Sequence, residues 1–518
     1  MKNTPKGQVV RDTIIADTIQ YHPVRLDLDG NILPWYSSDP GESYDTVLSL
    51  VWNFWKNMEI DSNGLKYYMN HQVWKPHHDM RGLGGDQINM ALSSWALYYR
   101  YTGDRSVVDN MKYLTDEYLA RSLSDASCQW PHLPYPYNTD IHSGKYDGDM
   151  RNGRGILQPD KAGNFGFELV TLYKITGEQK YLDAAIRIAT VLAEKTRPGN
   201  NDESPLPFRV NAKTGESGKF FSNTGDGKVM SRALYTSNWT CTMMLFQEMM
   251  KLDTAHAALW QKAFDTILAW MKEYPLKTNK WGPFFEDIPG WSDTQTNAIS
   301  FAMFIMLNRD LFPGWQNDVR SIFDWTYREL GNHEYDKYKV TVMNEQTVYR
   351  VPGNSHSSRQ ASMELWYTVL SGDSSYRENA IRTLNWATYT VDHDGKNRYI
   401  RDDIWLTDGY GDYVRHYLRA MAACPELAPA DKNKLLHASS VVKDVEYTPG
   451  IIRWTTFDSS ASELMRLTAR PEKVLAGENE LPENEKLTDD SWTWEPLQTG
   501  GILHICHRDA KNITVMLK

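Results

Sequence analysis

The chain predicts a mainly α fold, six helical hairpins followed by a small β-containing C-terminal region, and three observations carry that expectation. A stretch from Gly82 to Asp104 places Ile88, Ala91, Leu92, Trp95 and Tyr98/Tyr99 at the i, i+3/i+4, i+7 spacing of a helix with one buried face. The unit then recurs: Asp86 precedes Gly103 by seventeen positions, as Asp160 does Gly177 and Asp408 does Pro425. Weaker copies end at 251–253, 308–310 and 371–373, with Tyr235, Ser292 and Ser355 in the place of the aspartate. Third, short and long connections alternate along the whole repeat.

Taken in order, residues 1–43 read as an extended N-terminal segment ending in turn formers. Ser43 is placed to cap a helix from Tyr44 to Met58, whose Val47, Leu48, Val51, Trp52 and Trp55 share a face. First members of the hairpins are expected near 44–58, 105–121, 178–194, 256–273, 316–330 and 374–390. Second members are expected near 86–101, 161–175, 233–250, 294–308, 356–370 and 410–423. A few residues join each second member to the next first member. The reverse connections are long, at 59–85, 122–160, 195–232, 274–293, 331–355 and 391–409. Connections beyond about 12–15 residues are usually functional or disordered, and these carry Trp, Arg, His and Asp. In a closed ring they would emerge on one rim, above helix N-termini whose free N–H groups favour carboxylate-bearing ligands. The helical domain is expected over 44–440. From 441 to 518 the texture turns β-rich, with TPGIIRWTTF, GGILHICHRD and KNITVMLK as strand candidates.

Composition narrows the partners. The 518 residues carry 56 basic and 66 acidic side chains, a net charge of −10 that argues against nucleic acid or an anionic membrane surface. No apolar run is long enough to span a membrane. Nineteen Trp outnumber fifteen Phe, beside 29 Tyr. That excess suits stacking on sugar rings, although core filling explains any single Trp equally well. The four cysteines are far apart and form no C-x-x-C, so neither a disulfide framework nor a zinc site is expected. The start has no apolar leader core, which fits a cytoplasmic protein, or a periplasmic or secreted one whose leader was trimmed. P-loop, zincin and nucleophile-elbow motifs are missing, and 147–155 would make a poor calcium loop with Arg151 where an oxygen ligand belongs. No cofactor and no metal are expected.

The chemistry-bearing candidates fall into two sets. Asp86, Asp160 and Asp408 share one phase of the repeat at helix starts, where Asp is also a favoured N-cap. Ring closure would turn them into one cavity, where paired carboxylates act as acid and base. The long loops supply the rest: His77, His78, Asp79 and Arg81; Asp149, Arg151 and Arg154; Trp281, Glu286, Asp287, Trp291 and Asp293; Asn354, His356 and Arg359. Each loop charge could equally be a solvated surface residue. Arginine clustered with aromatics is the stronger sign, because guanidinium is the bidentate partner of a sugar carboxylate.

Six hairpins, short turns on one side and long Trp/Asp-bearing loops on the other resemble the six-hairpin glycosidase superfamily, an (α/α)6 barrel. The resemblance covers about 44–425 and includes the turns TGDRSV, TGEQKY and SGDSSY. Within the superfamily the chain is most similar to enzymes of uronic-acid-containing glycans, the glucuronidases of glycoside hydrolase family 154 foremost. The WGDD-like signature associated with unsaturated glucuronyl hydrolases is missing. The resemblance implies a glycoside hydrolase that takes an oligo- or polysaccharide and releases glucuronic acid by carboxylate acid/base catalysis. Asp86, Asp160, Asp293 and Asp408 are the candidate carboxylates, to lie about 6.5–9.5 Å apart as a pair if the enzyme inverts. Arg81, Arg151, Arg154 and Arg359 are candidates to hold the uronate, and Trp239, Trp281 and Trp291 to stack on it. A polysaccharide lyase is the alternative, with His356 or His78 as base beside Tyr235 or Tyr410 and Arg359. A non-catalytic glycan-binding protein is the third reading.

Overall fold

The computed structural model describes residues 13–73, 79, 80, 82–285, 288–400 and 407–517. Twelve longer helices dominate these residues. They are α1 (Pro40–Lys56), α2 (Gly85–Thr102), α3 (Arg105–Ser122), α4 (Pro159–Thr176), α5 (Gln179–Lys195) and α6 (Thr240–Leu252), followed by α7 (Ala257–Glu273), α8 (Gln295–Leu307), α9 (Trp315–Leu330), α10 (His356–Ser371), α11 (Arg377–Thr388) and α12 (Thr407–Ala423). The even-numbered helices form an inner ring. Each packs on the next, from α2 through α4, α6, α8 and α10 to α12, and α12 packs back on α2. The odd-numbered helices lie outside them.

The two layers differ in sequence for a physical reason. Outer helices such as α5 bury one stripe, with Tyr181, Leu182, Ala185, Ile188, Ala189 and Leu192 inward and charged residues outward. Inner helices are covered on nearly every side, so α8 reads NAISFAMFIML with almost no charge. Small residues let the inner ring close. A Cβ on Gly163 of α4 would lie 2.0 Å from the Thr242 hydroxyl of α6. Inner helices α2 and α4 end on Gly103 and Gly177 in the left-handed region (φ 73° and 75°), which is what the TG turns encode.

Three expected boundaries move. Helix α1 begins at Pro40 rather than Tyr44, because Asp39 caps it by accepting from the Gly41 and Glu42 N–H groups, with proline at the first position. Ser43 lies inside the first turn. Helix α6 begins at Thr240 rather than 233, since Thr236 and Ser237 donate their hydroxyls to the carbonyls of Pro283 and Trp281 and hold that stretch extended. Strands begin at Lys434, on the helical side of the expected 440/441 change.

The C-terminal strands form two antiparallel sheets. One has the order Lys434–Ala438, Ala461–Leu467, Gly501–His507, Ser491–Pro496; the other Val442–Thr448, Ile451–Thr456, Asn512–Leu517, Pro471–Ala476, Asn479–Glu480. They pack beneath the inner helices, where Arg100 donates to the Leu436 carbonyl and the Tyr447 hydroxyl to that of Arg100. The long loops therefore occupy the opposite rim. No helix among the described residues is long and apolar enough to cross a membrane.

Candidate functional site

All six inner helices send side chains into the centre of the ring, a space of about 720 Å³ between atoms, part of it open to solvent. Asp86, Asn89 and Ser93 line it from α2, Asn164 and Glu168 from α4, and Cys241 from α6. Thr296 and Ser300 face it from α8, Arg359 and Met363 from α10, and Arg415, His416 and Arg419 from α12. Asp86, Asn89 and Ser93 on α2, Asn164 and Glu168 on α4, Thr296 and Ser300 on α8, and Arg415 and Arg419 on α12 are spaced as one helix face, so these four helices turn a polar stripe to the lumen.

Asp86 lines the lumen at the rim, and Asp160 lies near enough for its charge to act on Asp86, although it is not itself among the lumen-lining residues. Neither is an N-cap: Gly84 and Gln158 hold those positions, and both aspartates lie inside the first turn. Asp160 is fully buried; its Oδ2 accepts from Lys161 Nζ at 2.9 Å and Asn238 Nδ2 at 2.8 Å, while Oδ1 has no protein partner. The Lys161 ammonium also donates to the Phe284 carbonyl at 2.7 Å and lies 3.6 Å from the centre of the Phe284 ring. Asp86 is 4% exposed, and its Oδ1 is likewise unpartnered. Burial pushes the Asp86 carboxyl up to about 6; Lys161 opposes the rise and the Asp160 charge adds to it.

The α10–α12 side is built around Asp412. Its Oδ2 accepts from the Ser355 hydroxyl and Arg359 Nη2, and its Oδ1 from Arg415 and, at 3.0 Å, from His416 Nε2. Burial alone would raise this carboxyl, but Arg359, Arg415 and His416 together hold it well below the usual range. A carboxylate can only accept, so His416 carries its proton on Nε2 and leaves Nδ1, which has no protein partner, as the basic nitrogen. Burial pushes the imidazole down to about 3, so it is neutral at working pH. Deeper in the lumen, burial raises Glu168 to about 7 against the pull of Arg415 and Arg419.

The other expected site residues separate. Arg359 lines the lumen, with Nη1 donating to Gln295 Oε1 at 2.6 Å. His356 begins α10, buried, with both ring nitrogens unpartnered and its ring 5.9 Å from Phe285, but it is not among the lumen-lining residues. Asp293 is occupied elsewhere: Oδ1 accepts from the Gly282 N–H and Oδ2 from the Trp291 indole, so it clamps its own loop. Trp239 and Trp281 are fully buried in the core rather than free to stack, because the ring needs large side chains between its layers. Trp291 is half-buried in a separate groove with Tyr235, Lys280 and Phe220. Tyr235 is buried too and donates its hydroxyl to the Lys280 carbonyl, which removes it as a proton carrier. Arg154 is exposed and pairs with Asp140 and Asp147; Arg151 is exposed on the same loop. Asp149 accepts from Gln158 and Arg209 inside the loop layer, fully buried with Arg209. His77, His78, Arg81, Glu286 and Asp287, and the side chains of Asp79, Asp408 and Tyr410, lie outside the described residues.

Residues the motif reading missed are Lys161, Glu168, Asp412, Arg415, His416 and Arg419. The available signal was the polar stripe itself, D-x-x-R-H-x-x-R over 412–419, with apolar and aromatic residues between. Among the described residues, His22, Asp392 and His393 are close enough to share a metal ion, and none of them lines the lumen.

Scans against protein-family models and curated proteins find no match. Solved structures do match. Cellobiose 2-epimerase from Spirochaeta thermophila superposes with a TM-score of 0.56 at 12% identity, over 74% of this chain and 96% of that one. Cellobiose 2-epimerase from Bacillus thermoamylovorans gives 0.53 at 13%, over 73% and 98%. A sugar epimerase from a ruminal bacterium gives 0.52 at 13%, over 72% and 97%. The likeness is one of fold: a six-hairpin (α/α)6 barrel. At such identities it leaves the reaction to be argued from the site.

Proposed function

We propose that this barrel is a glycoside hydrolase of uronic-acid-containing glycans, of the glucuronidase type seen in glycoside hydrolase family 154. One observation carries the reading. Two buried carboxyl oxygens, Asp86 Oδ1 and Asp160 Oδ1, stand unpartnered on the first turns of neighbouring inner helices at the loop-bearing rim. An unsatisfied buried carboxyl is costly unless a ligand completes it. Asp86, held up to about 6 by burial, keeps its proton late enough to protonate a glycosidic oxygen. Asp160, oriented through Oδ2 by Lys161 and Asn238, offers Oδ1 to accept a proton from the attacking water. Asp408, on the matching turn of α12, is the further carboxylate candidate.

Aryl glucuronides and glucuronidated oligosaccharides, followed by mass and ultraviolet absorbance, test this. Cleavage should add one water and create no chromophore. Asp86→Asn should lower kcat about 10²–10⁴-fold with the fold intact; wild-type turnover in that variant sinks Asp86 as the acid, and no cleavage by the wild type sinks the hydrolase.

A second reading rests on His416, a neutral imidazole oriented by Asp412 with a free Nδ1, the arrangement of a base that removes a proton from carbon. β-Elimination and epimerisation both begin that way, and the matched structures are named as epimerases. Deuterium entering a substrate C–H bond from heavy water would favour it, since hydrolysis leaves those bonds untouched.

A further inference from the structure

The lumen of the ring continues below the acid at the rim, and its charges there are unbalanced. Three guanidinium groups, Arg359, Arg415 and Arg419, face it. Asp412 engages two of them, and its hydrogen bonds occupy Arg359 Nη2 and both Nε and Nη2 of Arg415. Arg359 Nη1 is spent on Gln295. Arg419 has no hydrogen bond and no ion pair among the described residues, although it stands one turn from Arg415 on the same face of α12. Glu168 faces it from α4 without pairing, and at neutral pH burial leaves that carboxyl only partly ionised. Burial likewise lowers Arg419 itself to about 9, a cost that an incoming anion would relieve.

Depth follows from the packing of α12 on α2. Ser94 donates to the Gly411 carbonyl and accepts from the Arg415 N–H at 3.1 Å, which sets Arg415 level with Ser94. Ser94 is eight residues beyond Asp86, about 12 Å along the axis at the helical rise of ~1.5 Å per residue. Arg419 starts one turn deeper, about 6 Å further at the same rise. Long side chains lean back towards the helix N-terminus, so its guanidinium comes up to about the level of Arg415, roughly 12 Å below the acid.

We propose that Arg419, with the remaining N–H groups of Arg415, is the seat of the substrate's carboxylate, and that the uronic acid enters the lumen carboxylate first. This deepens the hydrolase reading and rests on it for the identity of the sugar. It places uronate recognition on α12, inside the barrel, rather than on the loop arginines Arg151 and Arg154. Guanidinium suits the task because its planar fork matches both carboxylate oxygens.

Titration of the full-length chain with D-glucuronate, D-glucose and inorganic sulfate tests the seat. D-Glucuronate should bind the wild type, and Arg419→Gln should weaken it about tenfold or more, as for hydrogen bonds to a charged group. Glucose should be indifferent to that change. If Arg419→Gln does not fold, Arg419→Lys carries the test, since it keeps the charge and loses the fork; it should bind glucuronate more weakly than the wild type. Glu168→Gln should tighten glucuronate above pH 7, where the carboxylate competes. The seat is overturned if a folded Arg419 variant binds glucuronate as the wild type does, if sulfate binds as well as glucuronate, or if glucuronate does not bind the wild type. The two ideas fail separately: glucuronate bound through Arg419 beside no cleavage of any glucuronide by the wild type would discard the hydrolase and keep the seat.

Discussion

The two sides of the lumen bury similar acids to similar depth and drive them to opposite states. On the α2–α4 side, Asp86 is enclosed with one oxygen unpartnered and Glu168 has no hydrogen-bond partner among the described residues; both hold their protons well above the ordinary carboxylate range. On the α10–α12 side, Asp412 is as deeply buried, yet four side chains donate to it and it stays ionised far below that range. Burial is the first cause on both sides. What differs is the supply of donors, so in this barrel partner geometry, not depth, decides which carboxyl is an acid and which is a scaffold.

That contrast can be broken most sharply at Asp412. Asp412→Ala should cost about 3–5 kcal/mol in urea unfolding, because it strands Arg359 and Arg415 in the lumen. Its folded carboxyl is depressed, so the stability it gives is present above its unfolded value near 4 and is lost only in strong acid. A variant as stable as the wild type at pH 7 would show that the α10–α12 network is ornamental.

On the other side the sign reverses. Glu168 is raised, so its stabilisation is complete below about pH 4.5 and is lost as pH climbs through about 7. The difference corresponds to roughly 3 kcal/mol at full deprotonation, as an upper bound. Glu168→Gln should therefore raise Tm above pH 7 and flatten its fall with pH, although Glu364, also pushed up to about 7 by burial, keeps part of the slope. Asp86→Asn should act in the same direction at lower pH, between about 4 and 6. In the wild type, hydrolysis should decline above about pH 6 as Asp86 gives up its proton; a rate that keeps rising through pH 8 would assign the acid elsewhere.

The smallest effect is expected outside the lumen. Arg154 pairs with Asp140 and Asp147 in an exposed cluster, and Arg154→Ala should change stability by no more than about 0.5 kcal/mol and leave glucuronate affinity unaltered. A tenfold loss of affinity would move uronate recognition back to the loops.

The hairpin order was legible because spacing alone encodes it. Apolar periodicity, the TG turns at Gly103 and Gly177 and the alternation of loop lengths are local features, and local geometry at a helix end needs no knowledge of the rest of the chain. For the same reason Asp86 and Asp160 could be picked out by their shared phase. The raised carboxyl of Asp86 could not, because it depends on burial in the closed ring and on Lys161 and Asp160 brought alongside on α4. Trp281 shows the converse: a tryptophan in a loop reads like a stacking platform, and only the closing of two helical layers over it makes it core.

Sequence by itself therefore determined the repeat, its helix ends and the side of the ring that carries the long loops, all set by contacts within a few residues. Tertiary structure alone decided which charges meet. Asp412 draws its donors from two helices, and Glu168 and Arg419 share a cavity only because the last inner helix packs against the first. Electrostatic energy is fixed by distance through space and by exclusion of water, and neither quantity is written in the order of residues along the chain.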